Sequence, residues 1–234
     1  MLQQTIRLTE DTPLTEDLCE FVGAVIGDGC IDGYVNERGK SKYHVFITGN
    51  AELDKDYLTN RLTKILESAF LKTPTILLRD SRTMILNICS KRIFKFLTER
   101  LGFIPGNKTY TVSIPSEIIN GDEHLVFATI RGIFDTDGNF FIDNRKIYRK
   151  PYPRITLRIA SEPLFLQLKE ILEKHFSVFA AKKKNGPFQI YEIVVYNEAQ
   201  LDKWMSIIGF SNQKHLRKID AYRQLISSKA PGGS

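Results

Sequence analysis

Two aspartates, Asp28 and Asp137, close two similar stretches of the chain, FVGAVIGDG at residues 21–29 and IRGIFDTDG at 130–138. Each follows an apolar run that reads as a helix, so each carboxylate meets the negative end of a helix dipole. That placement is unfavourable by ~0.3–1 kcal/mol. One such residue is an ordinary Asp-Gly turn; two at matching positions ask for a counter-charge. A hard divalent cation with oxygen ligands is the usual one. The stretches also share small residues four apart, Gly23 with Gly27 and Gly132 with Thr136. Helices carrying them can pack closely about a pseudo-twofold axis, bringing Asp28 and Asp137 side by side.

The elements that must position this pair repeat as well. HVFITGN (44–50) is echoed by TLRIASE (156–162), and LGF (101–103) by IGF (208–210), in the same order as the Asp-bearing stretches. Periodicity predicts helices at 16–28 and 122–137, capped by Thr15 and Asn120. Strands follow at 30–36 and 42–48 and at 139–145 and 154–160. Helices at 51–69 and 163–175 come next, then strands at 75–79 and 83–89 and at 178–182 and 189–196. Helices at 91–101 and 198–208 close the units, with an added helix at 213–226. The order αββαββα, twice, predicts an α+β fold of two tandem units with mostly antiparallel sheets. The expected division is 1–104, a linker at 105–121, and 122–234.

A chain of 234 residues, 42% hydrophobic and 26% charged, has enough apolar material for a sizeable core, which excludes disorder. The longest near-apolar run, 21–27, is far short of the ~20 residues of a membrane helix. The polar start of the chain predicts no signal peptide, and Cys19, Cys30 and Cys89 lack metal-like spacing. An intracellular, non-secreted protein is expected. The net charge of +6 is unevenly spread: the first 120 residues carry 15 basic and 15 acidic side chains, the remainder 18 and 12. A basic second half suits a polyanion.

FVGAVIGDG and IRGIFDTDG resemble the motif of the LAGLIDADG homing endonucleases, in the single-chain, two-motif form of that family; LGFIPGNK and GFSNQKH also look family-like. The resemblance implies a saddle of two four-stranded sheets over double-stranded DNA, with the motif helices at the interface through Gly23, Gly27, Gly132 and Thr136. It implies metal-binding carboxylates at Asp28 and Asp137, backbone carbonyls toward the metal at Gly27 and Thr136, and site lysines at Lys108 and Lys214. Asp135, with Ile26 opposite it in the first motif, is read as structural. Expected with it are Mg2+, replaceable by Ca2+ or Mn2+, a metal-dependent double-strand break with short 3′ overhangs, and intron homing. The implied state is a monomer of pseudo-dimeric halves on a long asymmetric target, with no membrane partner.

Side chains alternate along a strand, so parity gives a groove-facing set. In the first half it comprises Asp32, Tyr34, Asn36 and Arg38, then Lys42, His44 and Phe46, with Ile31 and Val35 facing the helices. Arg79 and Arg82 join it from the second strand pair. In the second half it comprises Asn139, Asp143 and Arg145, then Arg154, Thr156 and Arg158, with Phe140 and Ile142 facing inward. Such side chains can read base edges. Arg149, Lys150, Lys182, Lys183 and Lys184 are assigned to phosphates. An RNA-binding maturase on the same fold and a DNA-binding regulator with a degenerate site are the alternatives, and a cleavage assay separates them. An intein endonuclease is disfavoured by Met1 and by the absence of a His-Asn end.

Overall fold

The computed structural model describes residues 12–35, 37–145, 147–148 and 151–228. The expected contacts at Asn36, Arg149 and Lys150 lie outside the described residues. At the centre are α1 (Glu16–Ile26) and α5 (Glu123–Thr136), packed face to face. Between them fall β1 (Gly29–Val35), β2 (Ser41–Asn50), α2 (Thr63–Phe70), β3 (Thr75–Leu78), β4 (Thr83–Cys89), α3 (Lys91–Lys95) and the short α4 (Ser116–Ile119). The second half continues with β5 (Gly138–Asp143), β6 (Tyr152–Ile159), α6 (Glu162–His175), β7 (Val178–Asn185), β8 (Phe188–Tyr196), α7 (Glu198–Ile207) and α8 (Gln213–Ser227). Wide π-type turns at Tyr57–Leu62 and Phe96–Arg100 lead into α2 and out of α3.

The two sheets are antiparallel and have the same order, β1-β2-β4-β3 and β5-β6-β8-β7. One face of each carries the core, set by alternation: Val45, Ile47, Leu86 and Ile88 in the first, Ile155, Leu157, Ile193 and Val195 in the second, all buried. The helices cover that face and leave the other open, which is the predicted α+β architecture.

The helix–helix contact depends on absent side chains. A Cβ on Gly23 would lie 2.1 Å from the Thr129 carbonyl oxygen, and one on Gly132 would lie 2.1 Å from that of Glu20. Gly27 faces Thr136 in the same way, 2.1 Å from its hydroxyl oxygen. The four residues read from the sequence are therefore the contact itself. Beside it, buried Glu20 accepts from the Arg61 guanidinium of its own half at 2.7 Å and pairs with Arg131 of the other half at 3.2 Å.

Three expectations change. Asn120 is not the cap of α5: residues 116–119 form α4, Asn120 ends it, and Asp122 precedes α5. Val35 is 66% exposed rather than helix-facing in the core. The Phe94 ring covers the sheet at Gly33, where a Cβ would lie 3.1 Å away, and the strand runs on beyond that cover. The helix expected from 51 starts later, because Asn50 caps the backbone of Glu52 and Leu53 in a turn first. Thr15 does cap α1, accepting from Leu18 N at 3.2 Å.

Candidate active site between the motif helices

Tight packing of α1 on α5 carries their C-terminal ends to one spot, and the next residue of each is the aspartate. The two carboxyl groups meet closely enough to share a hydrogen bond. They line the floor of a cleft of about 480 Å³, with Gly27, Lys108, Arg158 and Ser161 among its walls. Both aspartates are exposed to the cleft, yet partial burial of their carboxyls raises both. Burial and then Asp28 raise the Asp137 carboxyl to about 7. Asp28 is also raised, by burial first, with Lys214 working against the shift. Two carboxyls in this position share a proton at neutral pH or else share a cation.

The lysines arrive from different backbones. Lys108 lies in a loop anchored by Gly106 N on the Ile31 carbonyl at 2.9 Å. Its ammonium donates to the carbonyls of Ile26 and Gly27, and its pKa is lowered by burial, against Asp137 and Asp28. Lys214 lies in the first turn of α8, capped by Asn212, and donates to the Thr136 carbonyl at 3.1 Å. The carbonyls expected to face a metal, Gly27 and Thr136, thus accept lysine ammoniums and border the carboxylate pair. The donor set there is all oxygen, two carboxylates with adjacent carbonyls, which fits a hard divalent ion. Among the described residues no group of three or more His, Cys, Asp or Glu side chains is placed to hold a metal ion, and the site rests on two carboxylates with backbone carbonyls.

Asp135 is fully buried and accepts from Ser211 N at 2.8 Å and Asn212 N at 3.0 Å, holding the segment that carries Lys214. This agrees with its reading as structural. Burial raises it to about 8.

The open faces of the sheets hold most of the groove-facing set. Asp32, Tyr34, Lys42, His44 and Phe46 share one face by register, and His44 stacks between Tyr34 and Phe46. Arg38, Arg79 and Arg82 are exposed near that sheet's ends. On the second sheet Asn139, Arg154, Thr156 and Arg158 share the open face.

Three corrections apply here. Asp143 lies on that face but is only 7% exposed, because Arg145 and Arg154 pair with it at 2.7 and 3.1 Å. It orients arginines instead of offering a free acceptor. Lys182 pairs with Glu162 on the helix side at 3.5 Å, and Lys184 has the same parity. Of that basic run only Lys183 reaches the open face, where it and Arg158 share buried Glu192.

The sequence reading missed Asp54 and Asn212. Asp54 sits in a turn and Asn212 at a cap, and only the fold brings both to the site; no local pattern marks them.

Residues 124–209 match the model of the LAGLIDADG-like domain. Over most of the chain the fold matches that of solved LAGLIDADG structures. Mesophilic variants of the homing endonuclease I-DmoI superpose with a TM-score of 0.60 at 17% identity, over 82% of this chain and 95% of theirs. The meganuclease I-AabMI bound to uncleaved DNA gives 0.60 at 15% identity over 92% of both chains. I-DmoI with DNA and Mn gives 0.59 at 17% identity, over 84% and 97%. In sequence, 91% of the chain is similar to a replication factor C small subunit of Methanocaldococcus jannaschii, 29% identical over 218 residues. The chain spans about a tenth of the length of that relative. Among the described residues no helix is long and apolar enough to cross a membrane.

Proposed function

We propose that the chain is a site-specific DNA endonuclease that makes a metal-dependent double-strand break at a long, non-palindromic target and leaves short 3′ overhangs. One observation carries the reading: two carboxyl groups are held in contact at the ends of packed LAGLIDADG helices, beneath two open sheet faces. Asp28 and Asp137 would hold the divalent cation, with Mg2+ the expected ion, flanked by the Gly27 and Thr136 carbonyls. When bound, that ion supplies an activated water and neutralises charge on the phosphate. Lys108 and Lys214 place positive charge beside the carboxylates, and Arg158 on the cleft wall meets a strand entering from the second sheet. The open faces bind across the duplex as a monomer of two unlike halves, divided at 1–104 and 122–234 by the 105–121 segment. The faces differ at most positions, so the target is asymmetric. Intron homing is the biological setting this activity serves.

The test is selection of cut sites from a random DNA library with Mg2+. Recovery of one long asymmetric sequence with 3′ overhangs is expected. Sequence-specific retention of DNA without cutting, in Mg2+ and Mn2+ alike, would leave a binding protein and remove the endonuclease.

A further inference from the structure

The two site lysines are not equivalent. Lys108 relies on backbone carbonyls at the end of α1. Lys214 has, besides the Thr136 carbonyl, an ion pair with Asp54 Oδ1 at 2.9 Å, both side chains largely buried. Asp54 belongs to the first half and Lys214 to the second, so the pair crosses between repeats. Asp54 is itself held: its Oδ2 accepts from Asn50 N at 2.8 Å, and its Oδ1 also accepts from Asn212 Nδ2 at 2.7 Å. Gly49, before that turn, leaves the room, since a Cβ there would lie 2.9 Å from the Asp54 Cβ.

Among the described residues the second half has no mirror image of this arrangement. Asn50 and Ser161 play the same capping role after the second strand of each half, one position apart in the repeat, and Leu164, Phe165 and Leu166 past Ser161 include no acid. Four residues past Asn50 comes Asp54; four past Ser161 comes Phe165, buried against Tyr191 with ring centroids 4.8 Å apart. An apolar ring cannot hold an ammonium by charge.

We propose that Asp54 is a positioning residue: it reaches across the pseudo-twofold axis to fix Lys214, and it thereby makes the cutting of the two DNA strands unequal. The inference rests on the endonuclease reading. A lysine has a long flexible stem whose ordering is costly. A carboxylate already anchored on two other donors orders it before DNA arrives, which is worth rate wherever charge must be placed accurately. Only one of the two strand cuts has this support.

The experiment combines strand-resolved cleavage of a selected target with amine-reactive labelling of the free protein, read by mass spectrometry. Asp54→Asn keeps the shape and can still accept from Asn50 N. It should slow one strand by roughly tenfold, so that nicked DNA accumulates. The slowed strand should be the one that Lys214→Met slows, and the double variant should be no worse than Lys214→Met alone. Labelling of Lys214 should rise several-fold relative to Lys108 in the same sample. Equal slowing of both strands, slowing of the strand sensitive to Lys108→Met, or unchanged Lys214 labelling overturns the proposal. Should Asp54→Asn lower the melting temperature sharply, Asp54→Glu retains the charge and should restore the balance between strands; a persistent strand bias counts against a charge tether. Wild-type protein that cuts neither strand overturns the endonuclease reading, and the labelling then decides the Asp54–Lys214 tether by itself.

Discussion

The open face of the first sheet is built around an aromatic ladder, and that of the second around splinted arginines. In the first, His44 lies between Tyr34 and Phe46, with its Nδ1 3.1 Å from the Asn87 amide oxygen. In the second, Asp143 orients Arg145 and Arg154, and Glu192 orients Arg158 and Lys183. Tyr148 and Tyr152 stack alongside, and Arg154 donates to the Tyr148 hydroxyl at 2.7 Å. The cores beneath keep the same alternation in both sheets. Register and burial constrain one side of a strand, while the other side is free to diverge, so duplicated halves keep a common scaffold and acquire different reading surfaces. Pairing with acids also lowers the net attraction of the second face below what a count of its basic residues suggests. What remains is orientation, which serves selectivity more than bulk affinity.

The contrast predicts symmetric behaviour at the two aspartates and the helix contact and asymmetric behaviour on the sheets. The largest effect is expected at the carboxylates. Asp28→Asn and Asp137→Asn should each lower double-strand cleavage by more than ~10²-fold while specific binding in a gel-shift assay is retained. Full cutting by either variant would break the symmetry. Next comes the helix contact, where Gly23→Leu and Gly132→Leu should each destabilise by ~3 kcal/mol, read from denaturant melts. A harmless substitution on one side only would mean the helices are not in mutual contact.

His215 makes an acid-labile contribution to stability in the second half. His215, buried against Phe210 with ring centroids 4.5 Å apart, is lowered to about 3 by burial and by Lys214. Its folded pKa lies below its unfolded one, so the neutral form favours the fold above pH 6.5, and that stability is lost as pH falls toward 3. Between pH 6.5 and 4.5 the His215 contribution should fall by about 2–3 kcal/mol, while the raised Asp135 and Asp137 carboxyls act in the opposite direction over that range, so the difference between wild type and His215→Gln is the quantity that reads it. The smallest effect concerns reading. Arg154→Met should relax base preference at its position by ~1–2 kcal/mol, measured by repeating the site selection. His44→Ala should change preference in the other half-site only.

Much of the scaffold was legible because alternation and helical spacing report burial directly. Ile155, Leu157 and Ile159 stand between Arg154, Thr156 and Arg158, and that pattern alone fixes the face. Asp28 and Asp137 were legible for a different reason, since duplication presents the same unfavourable placement twice. The spacing of Gly23 and Gly27 announced the helix contact because only close backbones need it. Asp54 was not legible: its role exists only after two segments 158 residues apart in sequence meet at Asn212. Nor was the fate of Asp143, Lys182 and Val35, since parity names a face but not what neighbours do to a side chain there. The missing α4 had the same origin, a four-residue turn too short to carry a period.

Glu20, sealed from water, is neutralised jointly by a guanidinium from its own repeat and one from the opposite repeat. Breeding hybrids by grafting one repeat onto a foreign counterpart would strand that ion unless an arginine came with the graft. The repeats are therefore poor interchangeable cassettes, and a designer who recombines them has to transplant the arginine together with the recognition surface.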